Sequence, residues 1–302
     1  MLAAIRAGRL IRKGLLMLAA ALLLVYILFP FGWSLASSFQ TNEQLFQYPP
    51  RLKPADPWFT NYYAVFMGKR YGEEYQPDRA FTWIPPFVLW IPRVMANTLV
   101  AGFATVLLTL GIGAAAAYAL TRFDFRGKGT ALGGTLVIRS VPIVAILIPL
   151  FVLMRVLGLL DTLFGIVIVL VALELPFAIW ILREYFAAIP LELEDAARID
   201  GCSRLRLLLR IVMPLAVPGL IVTGIIVFMT TWSAFLVPLI LAKTQKSMTL
   251  QVVAAMLVGE RDVYTDYGLI NAVAVVSIIP PLVLALVFQR YIISGIFKGA
   301  IR

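Results

Sequence analysis

The chain has 302 residues, 61% of them apolar, with a mean hydropathy of +0.92 and a formal charge of +10. A soluble domain is nearer half apolar, so this composition belongs to a polytopic membrane protein. No histidine and a single cysteine, Cys202, exclude a disulfide framework, a Cys/His zinc site and histidine acid–base chemistry. The basic residues lie beside apolar runs rather than in a patch interleaved with aromatics, which argues against nucleic acid.

Arg6, Arg9, Arg12 and Lys13 precede an apolar run from about Leu15 to Leu35, long enough to span a bilayer. Its end, Phe29-Pro30-Phe31-Gly32-Trp33, lacks a small-residue cleavage pattern, so the run reads as an uncleaved first span. From Ser37 to about Trp90 the chain is polar, proline-rich and aromatic, consistent with an irregular loop and an interfacial belt. Within it, the insert Gly68–Pro92 has no evident purpose. Span two is predicted over Met95–Leu120, with Gly102, Gly111 and Gly113 available for close helix packing. Spans three to six follow at Ala131–Leu157, Leu163–Leu182, Ala216–Leu241 and Leu269–Tyr291, with a weaker helical stretch at Met248–Val258. No internal repeat is visible, so an inverted-repeat carrier gains no support. No G-x-x-x-x-G-K-[ST] phosphate loop is present either.

The charges orient these spans. Fifteen of the 26 Lys and Arg fall on the side that holds both termini and the loops at 121–130 and 183–211. Ten fall on the other side, six of them in the long first loop, which counts little toward orientation. The expectation is an all-α polytopic membrane protein of six transmembrane helices with cytoplasmic N- and C-termini. It divides into a tail and first span (1–36), an extracytoplasmic loop (37–92), a core of five spans (93–292) with a cytoplasmic loop at 183–213, and a C-terminal tail (293–302). Two charges, Arg139 and Glu174, fall inside spans three and four. Counted at 1.5 Å per residue they lie at similar depth, which predicts an ion pair, direct or through water, that breaks as the spans move. Separate partners, or an Arg139 that snorkels, are the alternatives.

The cytoplasmic stretch Ile189–Gly219 is polar between two very apolar segments. Pro190 suits the first turn of a helix, and Glu192, Glu194 and Asp195 favour its positive end. Gly201 suits a left-handed stop, and Ser203 the cap of a second helix running toward Pro214. By pattern alone this is an ordinary loop between spans as readily as a docking element.

The residues Asp195-Ala196-Ala197, then Gly201, Ile211 and Met213-Pro214, resemble the E-A-A-x-x-x-G-x(9)-I-x-L-P loop of bacterial ABC importer permeases. Asp195 replaces Glu and Met213 replaces Leu. Further likeness lies in Tyr118-Ala119-Leu120-Thr121-Arg122-Phe123-Asp124-Phe125-Arg126-Gly127-Lys128, which resembles the end of span two in maltose-type sugar permeases. Ile148-Pro149-Leu150, Leu157 to Thr162, Trp232-Ser233-Ala234-Phe235-Leu236 and the tail from Gln289 to Ala300 resemble that group too. Pro57 to Tyr62 is similar to the segment preceding its second span. Within it, the chain is most like the smaller, maltose-G-like subunit.

The resemblance implies the type I importer permease fold in a prokaryotic inner membrane. It implies a transport subunit with no catalysis and no cofactor of its own, ATP and Mg being held by the partner. The implied partners are a larger F-like permease, two ABC ATPase subunits, an extracytoplasmic sugar-binding protein, the lipid bilayer and a sugar. A non-sugar solute (phosphate, polyamine or a glycerol phosphodiester) is the alternative, and an ATP-independent secondary transporter a more distant one. The ATPase-coupling helix then comprises Glu194, Asp195, Ala196, Ala197, Arg198, Ile199, Asp200 and Gly201. Candidates for the substrate pathway are Trp232, Ser233, Phe235, Glu174 and Asn271, with packing against the partner permease the alternative for Trp232 and Phe235. In the loop Lys243–Gly268, Met256 and Val258 are candidates for contact with the binding protein, against a merely solvated hairpin.

Overall fold

A computed structural model describes residues 2–49, 54, 57–68, 86–258 and 265–300, and among them every regular element is helical. Most of the insert at 68–92, and Glu260, Arg261 and Asp262 of the last loop, lie outside the described residues. Among the described residues, four helices are long and apolar enough to cross a membrane: Arg12–Ser37, Phe87–Arg122, Leu163–Ala187 and Tyr267–Tyr291. Two bent pairs bring the number to as many as six.

The elements are α1 (Leu2–Ser37), α2 (Asn42–Leu45), α3 (Thr60–Met67), a 3-10 turn at Pro86–Trp90, α4 (Ile91–Arg122), α5 (Lys128–Ser140), α6 (Ile143–Val156) and α7 (Leu163–Ala187). They continue as α8 (Leu191–Ile199), α9 (Arg204–Leu207), a π turn at Leu208–Val212, α10 (Met213–Leu215), α11 (Val217–Trp232), α12 (Leu236–Leu241), α13 (Leu250–Leu257) and α14 (Tyr267–Ala300).

Two expected spans are not straight. The third breaks between α5 and α6 by 101°. Pro142 removes a backbone donor and forces Val141 into an extended conformation, so α5 ends at Ser140 and α6 restarts after the proline. The fifth is interrupted as well. The segment Arg204–Leu215 meets α11 at 80° next to Pro218, and α11 stops at Trp232 rather than running on to Leu241. Pro176, by contrast, sits inside α7 and the helix continues past it to Ala187.

The chain forms two compact units, Met1–Leu89 with Leu257–Ile278, and Trp90–Met256 with Ile279–Arg302. The stretch Leu257–Ile278, which lies within 93–292, groups with the N-terminal part. In the first unit Asn61 is buried, its Nδ2 donating to the carbonyls of Ser38 and Gln40. Asn42 donates to the carbonyl of Thr265 at 2.8 Å and accepts from the Tyr267 N–H at 3.0 Å. The α1 stretch Arg12–Ser37 has none of its apolar window buried.

The second unit is built on α4 against α7 and α11. Small residues allow the approach: Gly113 lies against Ala178, Gly102 under the Phe228 ring and Gly219 under the Tyr185 ring. Gly111, expected to help, faces open space. Toward the α8 end, Tyr118, Leu182, Phe186, Leu207, Val212 and Ala216 close one apolar cluster.

Candidate functional site

The helix α8 is nine residues long and starts after Pro190, whose extended backbone makes it the cap rather than the first helical residue. It ends at Asp200, and Gly201 then takes φ +78°, the left-handed stop expected of it. Ser203 caps α9 by accepting from the Arg206 N–H. Along α8 only Glu194 and Ala197 are buried, three positions apart and hence on one face.

Glu194 is turned into the protein, which the sequence reading did not foresee. Arg122, at the end of α4, donates through Nε to Glu194 Oε1 at 2.6 Å. Its Nη2 donates to the carbonyls of Phe186 and Ile189, at 3.0 and 2.8 Å. Tyr118 donates its hydroxyl to Glu194 Oε2 at 2.9 Å. The Phe186 carbonyl, in the last turn of α7, also accepts from the Ile189 N–H, and the Ile189 carbonyl follows in the link to α8; a guanidinium fork can serve both and a carboxylate together. The spacing of Tyr118 and Arg122, one turn apart on α4, was the available signal.

The opposite face of α8 has no such partners. Asp195 and Arg198 pair loosely with each other at 3.5 Å, both exposed. Leu191, Leu193 and Ala196 are exposed beside them, and Ile199 is 87% exposed. Leu191, Leu193, Ala196 and Ile199 thus leave an exposed apolar set on a short, internally anchored helix.

A second constellation fixes the chain between α12 and α13. Asp161, at φ +56° in the corner between α6 and α7, accepts at Oδ1 from the N–H of Lys243 and Thr244 and from the Ser247 hydroxyl. Its Oδ2 accepts from the Thr244 hydroxyl at 2.8 Å. Burial alone would raise the Asp161 pKa, but the Ser247 hydroxyl, the two backbone N–H groups and the Thr244 hydroxyl outweigh it and hold the carboxyl well below the usual carboxylate range. From α4, Asn97 donates to the carbonyls of Gln245, Lys246 and Met248, and Thr98 accepts from the Leu250 N–H. The loop into α13 is therefore latched from both sides, and Met256 and Val258 lie exposed beyond it.

The direct intramembrane pair is not made in this structure. Arg139 lays its guanidinium over the Phe177 ring, 4.2 Å from the centroid, and no ion pair joins it to Glu174. The depth count assumed straight helices, and the 101° break just beyond Arg139 removes that premise. The Glu174 Oε2 is buried without a hydrogen bond. Trp232 is buried at the end of α11 and stacks on Phe228, ring centroids 5.7 Å apart and 17° from parallel. Ser233 and Phe235 occupy the interruption before α12, with Ser233 bonding back to the carbonyls of Met229 and Thr230. Asn271 belongs to the other compact unit and donates to the Tyr267 carbonyl.

Residues 107–298 match the family described as binding-protein-dependent transport system inner membrane component. The chain belongs to this family. The permease is thus an inner-membrane transport subunit and not an enzyme, of the all-helical type I importer fold. It is 31% identical to the trehalose transport system permease protein of Mycobacterium tuberculosis over 277 residues, 92% of this chain and 93% of that one. It is 32% identical to the sulfoquinovosyl glycerol transport system permease protein of Agrobacterium fabrum over 290 residues, 96% and 94% of the two chains. Among solved structures it superimposes on a chain of a bacterial ABC transporter involved in the import of the acidic polysaccharide alginate. That match has a TM-score of 0.75 at 25% identity and covers 93% of this chain and 96% of the other.

Proposed function

We propose that the permease is the maltose-G-like subunit of an ATP-driven importer of sugars, and that α8 is its coupling helix. The carrying observation is the two-sided character of α8: Glu194 and Ala197 are anchored inward, while Leu191, Leu193, Asp195, Arg198 and Ile199 are left open to a partner. A separate ATPase subunit, holding ATP and Mg, fills that face from the cytoplasm, where the excess of basic residues puts α8 and both termini. The partners are two such ATPases, an F-like permease and an extracytoplasmic sugar-binding protein. Relatives named for trehalose and for sulfoquinovosyl glycerol support a sugar as the solute.

Nucleotide-driven movement of the two ATPases shifts α8, and the spans pass between inward- and outward-open states that both sites bias. On the far side, the latched loop presents Met256 and Val258 to the binding protein. Ser233, Phe235 and Glu174 belong to the solute pathway. Placing Lys at Asp195, or Asp at Ile199, changes only the outer face. Each variant should reach the membrane and lose the ATPase on purification of the complex; retention of the ATPase at wild-type level in both overturns the docking assignment.

A further inference from the structure

The helix α8 lies between two breaks in the helical backbone. Pro190 before it is extended, and Gly201 after it is left-handed, with open space where a Cβ would stand and with the Gly201 and Cys202 N–H groups turned back onto the carbonyls of Arg198 and Ala197. Neither connection continues a spanning helix into α8. Its apolar contacts, through Ile189, Ala197 and Leu207, hold it close but do not fix its direction. The directional side-chain contacts to α4 are the hydrogen bonds of one buried charge pair and its tyrosine. Arg122 reaches the carboxylate with Nε and two carbonyls at the end of α7 with Nη2, so one side chain joins α4, α7 and α8. Tyr118 fixes the second carboxylate oxygen.

We propose that the Arg122–Glu194 pair is the strut through which a displacement of α8 reaches the ends of α4 and α7. This rests on the reading of α8 as the ATPase dock. Both residues act through position: neither touches nucleotide or solute. An apolar pair of the same volume would hold the helix as firmly, but it would not fix one register, which is the use to which a buried ion pair is suited. The exposed Asp195–Arg198 pair lies on the other face and does not compete for Arg122. Lysine cannot replace the arginine, because a single ammonium on a flexible stem cannot serve three acceptors spread over the end of α7 and α8.

The test uses the whole complex in vesicles, with Cys202→Ser and spin labels on cysteines at Glu184 of α7 and Glu192 of α8, both exposed. The distance between them is measured without nucleotide and after trapping with ATP and vanadate. In the parent complex the two distributions coincide. In Glu194→Gln and Arg122→Lys the trapped distance moves by more than about 2 Å, beyond ordinary shear of packed helices. Tyr118→Phe, which keeps the charge pair, gives a smaller change and serves if the stronger variants do not assemble. Coincident distributions in all three variants overturn the strut. So does loss of the ATPase from Glu194→Gln complexes, because the pair would then belong to docking alone. Retention of the ATPase at wild-type level in both Asp195→Lys and Ile199→Asp complexes instead overturns the docking reading, whatever the distances do.

Discussion

Asp161 and Ser247 share a hydrogen bond of 2.6 Å although 86 positions separate them in sequence. The bond ties the corner between α6 and α7 to the loop before α13, and the same carboxylate serves the N–H groups of Lys243 and Thr244. Asp161→Ala leaves those groups without their acceptor, a loss of about 1–3 kcal/mol for a hydrogen-bonded carboxylate. Hydrogen exchange at the amides of Lys243 and Thr244 should accelerate in the variant, with little change at the buried amides of α7.

The same carboxylate sets a pH dependence. Its folded pKa lies below the ordinary value of about 4, so its contribution is present above that value and is lost as pH falls through the folded one. Protection of the loop amides should therefore hold from neutral pH down to about pH 4 and decline only in stronger acid. A decline near pH 6 would contradict the assignment.

Glycines on the helix faces separate by what stands opposite them. A methyl at Gly219 runs into the Tyr185 ring, whereas one at Gly111 meets nothing within 4 Å. Gly219→Ala should lower the thermal stability of the purified permease by several degrees, since overpacking costs about 1–3 kcal/mol. Gly111→Ala should leave it unchanged.

Trp232 is buried against Phe228, so truncating it opens a cavity rather than baring a sugar-stacking surface. Trp232→Ala should cost about 3 kcal/mol or more and reduce the amount of assembled complex. The concentration of sugar giving half-maximal uptake should be unchanged in the complex that remains. An altered half-saturation at full assembly would return Trp232 to the pathway.

Arg139 sits on Phe177 rather than against Glu174. The charge-swapped double variant Arg139→Glu with Glu174→Arg should therefore be no more active than the weaker single variant. Recovery of uptake in the double would mean that the pair forms in another state of the cycle.

Most of the helical architecture was legible because apolar runs of bilayer length and their caps are local signals. The stretch from Pro190 to Ser203 was read nearly to the residue, since a left-handed glycine and a serine cap act over one turn. The bend at Val141 was missed because a hydropathy window averages over a proline that redirects the backbone without lowering apolarity, and the stop of α11 at Trp232 because Ser233 and Ala234 barely lower it. The direction of Glu194 was missed for a different reason. Which face of a short amphipathic helix turns inward depends on a partner 72 positions away, and Arg122 looked like one more basic residue of a short loop. Asn97 and Asp161 are satisfied by backbone groups of a distant loop, and backbone groups carry no sequence signature.

Asn42 has a consequence for biogenesis. Its partners, Thr265 and Tyr267, lie 223 and 225 positions further along the chain. At a synthesis rate of about 5–20 residues per second, Asn42 waits roughly ten to forty seconds before those groups exist. During that interval the segment after the first helix must be kept apart from wrong partners while the spans between are inserted. The start of the last helix, and not its completion, is thus the event that ties down the segment after the first one.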